Sequence, residues 1–102
     1  MKTVLLNDYL FNIDQSGSGR TTLLVHGSAS DYRTWAGQIE PLSRQFTVTT
    51  YSRRYHWPNV QISDNQDYSM HQHLNDLIQL IEHLPGHPVN LVAHSYGALL
   101  AL

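Results

Sequence analysis

The 102-residue sequence contains no cysteine. That excludes a disulfide scaffold, a Cys-based zinc site and an iron–sulfur cluster. Charge is also scarce, at 14% of residues, and six Lys plus Arg against eight Asp plus Glu give a formal net charge of −2. The basic excess that non-specific nucleic-acid binding requires is missing. No apolar run approaches the roughly 18 residues of a membrane-crossing helix. The opening Met1-Lys2-Thr3-Val4-Leu5-Leu6 gives way at once to Asn7 and Asp8, too short a run for a secretion signal. The expectation is a soluble, cytoplasmic protein that contacts neither nucleic acid nor membrane. Repeats and low-complexity segments are absent as well. What is present, 41% hydrophobic residues over the length of one domain, suffices for a packed core.

Strand-like and helix-like stretches alternate, the pattern of an α/β fold. Val4–Leu6 and Tyr9–Ile13 read as short strands, and Gly17-Ser18-Gly19 as a turn. Thr21-Thr22-Leu23-Leu24-Val25 is a continuous apolar, β-branched run, as expected of a parallel strand covered on both faces. Residues 32–42 read as a short helix with Trp35 and Ile39 on one face and Pro41 limiting its end. Phe46–Tyr51 is the next strand, and residues 52–68 form a long polar loop of the kind that often carries function. Ser69 with Gln72 forms a capping box, and Leu74, Leu77, Ile78, Ile81 and Leu84 follow at helical spacing until Pro85-Gly86. Val89–Ala93 is another run of the buried-strand type, followed by the helix formers Ala98–Leu102.

Between that strand and helix stands Ala93-His94-Ser95-Tyr96-Gly97, the setting of a nucleophile elbow. A turn this sharp strains the backbone at Ser95 and requires small residues two positions away on each side. Ala93 and Gly97 meet that need, although the motif in its strict form has glycine at the first position. Ser95 would project its hydroxyl clear of the sheet. Acyl transfer also needs two backbone N–H groups aimed at the developing oxyanion. Tyr96, directly after the nucleophile, and Ser28, after the His26-Gly27 turn that ends the earlier strand, are the expected donors.

Leu24-Val25-His26-Gly27, Tyr51-Ser52-Arg53-Arg54 and Leu91-Val92-Ala93-His94-Ser95-Tyr96-Gly97, in this order, resemble the α/β-hydrolase superfamily. The likeness is greatest to its single-domain esterase, haloperoxidase and C–C-bond hydrolase members. The resemblance implies an α/β fold with a mostly parallel sheet and flanking helices, Ser95 as nucleophile, an oxyanion hole from Ser28 and Tyr96, and no cofactor. It also implies a triad in the order Ser, acid, His, yet none of the seven residues after Ser95 is Asp, Glu or His. Residues 1–102 are therefore expected to be the N-terminal portion of one hydrolase domain, its acid and histidine lying beyond Leu102.

Two functional readings follow. In the first, the parent is a serine hydrolase that cleaves an ester, thioester, other acyl compound or C–C bond through an acyl-enzyme. Epoxide hydrolases and haloalkane dehalogenases need a carboxylate nucleophile, and Ser95 argues against both. In the second, the chain is a catalytically inactive fragment or a binding version of the fold, able to self-associate through the open edge of the Val89–Ala93 strand. The seven histidines invite a metal reading, but His71 and His73 face different ways on a helix, and Pro85-Gly86 separates His83 from His87. All four are expected to be solvated. His26 is expected to bond nearby loops and His94 to pack beneath the elbow. Arg53 and Arg54 either meet an anionic substrate or, for one of them, form a local salt bridge. Trp35 and Trp57 are expected to pack, with Trp57 able to border the site.

Overall fold

A computed structural model describes residues 2–59, 69–86 and 88–102; part of the long loop and His87 lie outside the described residues. Strands β1 (Lys2–Leu6) and β2 (Tyr9–Ser16) form an antiparallel hairpin. The two residues that join them, Asn7 and Asp8, have φ of 50° and 58°, the left-handed pair of a type I′ turn whose twist matches the strands. Strand β3 (Arg20–Val25) is followed by a 3₁₀ turn (Tyr32–Trp35), α1 (Ala36–Ser43), β4 (Phe46–Tyr51), α2 (Met70–His83), β5 (Asn90–Ala93) and α3 (Tyr96–Ala101). The sheet order is β1-β2-β4-β3-β5, with β2 antiparallel to β4 and with β3 parallel to both β4 and β5.

Strand β3 lies between β4 and β5. Leu23, Leu24 and Val25 are fully buried, because alternate side chains enter different layers. Leu24 joins Val48, Trp35, Ile39 and Leu42 under α1. Leu23 and Val25 join Phe11, Tyr51, Leu77, Leu80 and Leu100 under α2 and α3. This two-sided burial is what the unbroken apolar run of β3 predicts.

Three local expectations need correction. Pro41 lies inside α1 rather than ending it. The helix runs only two residues further, so the proline removes a hydrogen bond in a final turn that has few to lose. The buried stripe of α2 is rotated from the apolar pattern: His73, Asp76, Leu77 and Leu80 face inward, while Leu74 and Ile78 stay exposed. Polar residues turn inward here because Asp76 is claimed by Arg54, described below. At the start of α2, Ser69 Oγ accepts from the Gln72 amide at 3.1 Å as the capping box requires, while the Gln72 side chain donates to Asp76. The third correction is β5, which is not a buried run: it ends the sheet order, and its Leu91 and Val92 are exposed. Among the described residues no helix is long and apolar enough to cross a membrane.

Candidate active site

Strand β5 ends at Ala93, and the chain reverses within two residues into α3. The turn is closed by hydrogen bonds from the Gly97 and Ala98 amides to the His94 and Ser95 carbonyls, at 3.0 and 2.9 Å. Ser95 carries the strain, with φ 56° and ψ −119°, a conformation side-chain-bearing residues rarely adopt. Gly97 explains why a small residue is needed there. A Cβ on it would lie 2.5 Å from the Val25 carbonyl oxygen and 2.7 Å from that of His26. The elbow thus rests directly on the end of β3.

That contact brings the loop after β3 beside the serine. A Cβ on Gly27 would lie 3.3 Å from Ser95 Cβ, so glycine lets the two segments meet. A cavity of about 340 Å³ opens there, lined by Gly27, Ser28, Ala29, Ser30, Thr34, His94 and Ser95. The structure therefore brings Ser95 and Ser28 to one cavity wall, with Tyr96 beginning α3 directly behind the serine. His94 is exposed and lines the cavity instead of packing beneath the elbow, because the reversal at Ser95 turns residue 94 outward as well.

Beneath the loop lies a buried polar layer that the sequence reading divided only in part. His26, fully buried, accepts from the Arg53 amide through Nε2 at 2.8 Å. That fixes the proton on Nδ1, which donates to the Gly27 carbonyl at 2.7 Å. Desolvation pushes the imidazole pKa down to about 3, so this histidine is neutral and structural, as expected. His56 donates to the Ser30 carbonyl at 2.8 Å, and burial lowers its pKa too. The His26 and His56 rings stand 4.7 Å apart, and His73 follows His56 at 6.2 Å. His73 is thus a correction. It is buried against His56 and Tyr96 rather than solvated, and desolvation followed by the nearby Arg53 charge holds its pKa down at about 4. His71 and His83 are exposed. Among the described residues no three His, Cys, Asp or Glu gather closely enough to hold a metal ion.

The two arginines divide. Arg54 forms the local salt bridge, paired fork-to-fork with Asp76 at 2.9 and 3.0 Å, and Asn7 and Gln72 also donate to that carboxylate. Arg53 is 1% exposed and binds loop carbonyls. Neither lines the cavity. Trp35 packs under α1 as expected, whereas Trp57 is half exposed, stacked on Tyr32 with the Arg33 guanidinium 3.8 Å above its ring.

With this geometry in view, comparison decides the family. The model of the alpha/beta hydrolase fold family matches residues 21–102. The chain belongs to that family. It is 30% identical over 86 residues to the uncharacterized hydrolase YraK of Bacillus subtilis, a match covering 84% of this chain and 32% of that protein. An epoxide hydrolase from Vigna radiata superposes with a TM-score of 0.90 at 27% identity, over 98% of this chain and 33% of that one. The thioesterase domain from the curacin biosynthetic pathway gives 0.89 at 25% identity, over 98% and 36%. The chain thus spans about a third of the length of the relatives it matches.

Proposed function

We propose that the protein carrying this chain is a serine hydrolase, with Ser95 as nucleophile and the Ser28 and Tyr96 amides as oxyanion donors. The observation that carries this reading is the strained Ser95 on the cavity wall it shares with Gly27 and Ser28. Ser95 Oγ adds to the carbonyl carbon of an ester, thioester or related acyl substrate, and the carbonyl π pair moves onto oxygen between the two amides. Collapse expels the leaving group and leaves the acyl-enzyme, which water then hydrolyses. A C–C bond beside a carbonyl can be cleaved in the same frame. The relatives include both an epoxide hydrolase and a thioesterase, and residue 95 favours the acyl side, since epoxide opening by the carboxylate route requires Asp or Glu at the elbow.

Ser95 needs a base: His26 is held by Arg53 and Gly27, His56 and His73 lie in the layer beneath, and His94, which lines the cavity, makes no hydrogen bond to the serine among the described residues. The acid and histidine are therefore assigned to chain beyond Leu102, within a single domain whose sheet continues past the open edge of β5. The 102 residues alone are then inactive, and their open edge is where they would self-associate. In the full-length protein, Ser95→Ala is expected to lower kcat on a p-nitrophenyl ester by 10⁴-fold or more, about the effect of losing such a nucleophile. Retained ester cleavage by that variant would sink the reading.

A further inference from the structure

We infer that Arg53 is a positioning residue for the oxyanion hole: it holds the Gly27 carbonyl so that the other end of the same peptide, the Ser28 N–H, faces Ser95. The inference rests on the serine-hydrolase reading and deepens it. Three donors converge on the Gly27 oxygen: His26 Nδ1 at 2.7 Å, Arg53 Nη2 at 2.8 Å and Ser30 Oγ at 3.2 Å. Arg53 Nε also donates to the His26 carbonyl at 3.3 Å, and the Arg53 amide fixes the His26 tautomer. One residue thus secures two successive carbonyls and the ring between them.

A trans peptide is planar, with its C=O and N–H pointing in opposite directions. The Gly27–Ser28 bond is trans, so a carbonyl drawn inward to a 1%-exposed guanidinium turns the Ser28 N–H outward, to the cavity that Ser28 and Ser95 line. Without these bonds little opposes a flip of the peptide, because Gly27 has no side chain to restrict it. The flipped peptide would present a carbonyl oxygen to the oxyanion, replacing attraction with repulsion. Arg53 reaches the other donor residue as well, its guanidinium carbon 4.8 Å from the centre of the Tyr96 ring. A substrate-binding role does not fit, since Arg53 is buried outside the cavity lining.

Arg53→Lys keeps the charge but loses the fork, and it separates positioning from charge. In the full-length enzyme it is expected to lower kcat on an aryl ester by about 10- to 100-fold, less than the roughly 10²–10³ of losing one oxyanion donor outright, because His26 and Ser30 still reach the Gly27 oxygen. KM should stay within about threefold, since ground-state binding is untouched. Affinity for an aryl boronic acid, which forms a tetrahedral adduct on serine, should fall by the same factor as kcat. Wild-type kcat and boronic acid affinity in a cooperatively melting Arg53→Lys protein would overturn the inference.

A crystal structure of the wild-type boronic acid adduct decides the matter even where Arg53 variants do not fold. A boron oxygen about 2.7–3.1 Å from the Ser28 amide, with Gly27 O still on Arg53, supports it. Boron on Ser95 with its oxygen away from Ser28 overturns this inference and the Ser28 donor with it, while Ser95 stands as nucleophile. Boron elsewhere than Ser95 overturns the serine-hydrolase reading itself.

Discussion

Replacing Gly97 with alanine sets two effects against each other, and the structure says which wins. Alanine is favoured over glycine in a helix by about 1 kcal/mol. Gly97 has no positive φ, so the backbone itself would accept the change. The new Cβ, however, would lie 2.5 Å from Val25 O, 2.7 Å from His26 O and 3.0 Å from Val25 C. These are backbone atoms of β3 and its exit, where Leu23–Val25 are fully buried and have no room to retreat. Helix α3 must move instead, by about half an ångström or more, and it carries Ser95 with it. Overpacking against a rigid wall costs about 2–3 kcal/mol. The net loss is about 1–2 kcal/mol, or roughly 2–8 °C in Tm for a protein of a few hundred residues. Activity should fall by about tenfold or more, because small misplacements of a nucleophile are expensive.

Gly37→Ala is the internal control. A Cβ on Gly37 meets nothing within 4 Å, so the same substitution inside α1 should raise stability by about 1 kcal/mol. Thermal unfolding of both variants in the full-length protein provides the measurement. If Gly97→Ala were as stable as Gly37→Ala, the close seating of the elbow on β3 would be refuted.

Two further outcomes follow from the buried polar layer. Asp76→Asn leaves Arg54, 8% exposed, without its counter-charge and should cost about 3–5 kcal/mol by chemical denaturation; a loss under about 1 kcal/mol would contradict the account. Folded His26 and His73 have pKa values lowered to about 3 and about 4, so between pH 6.5 and 4 the unfolded chain binds more protons than the folded one. Stability should be full above pH 6.5 and decline as pH falls, by up to about 1.4 kcal/mol per pH unit for each histidine. A flat denaturation midpoint across that window would contradict it, and replacing His73 with an apolar residue should reduce the slope.

The order of elements was legible because each had a local cause. The apolar run of β3, the cap at Ser69, the stop at Pro85-Gly86 and the small residues flanking Ser95 all read directly from sequence. The elbow and the His26-Gly27 turn were legible for the same reason, since close backbone approach demands specific small residues. What escaped was set by contacts distant in sequence. The rotation of α2 depends on Arg54 and Asn7 capturing Asp76, 22 and 69 positions away. His73 looked like a surface histidine because the neighbours that bury it, His56 and Tyr96, come from a loop and another helix. The grip of Arg53 on Gly27 spans 26 residues.

The central claim is that Ser95 is the nucleophile, and covalent labelling tests it most directly. The full-length protein would be treated with an alkyl fluorophosphonate, digested and read by peptide mass. The account predicts one adduct, on Ser95, that disappears in Ser95→Ala together with ester cleavage. An adduct on another residue, or ester-cleaving activity that survives with Ser95 unmodified, would contradict it.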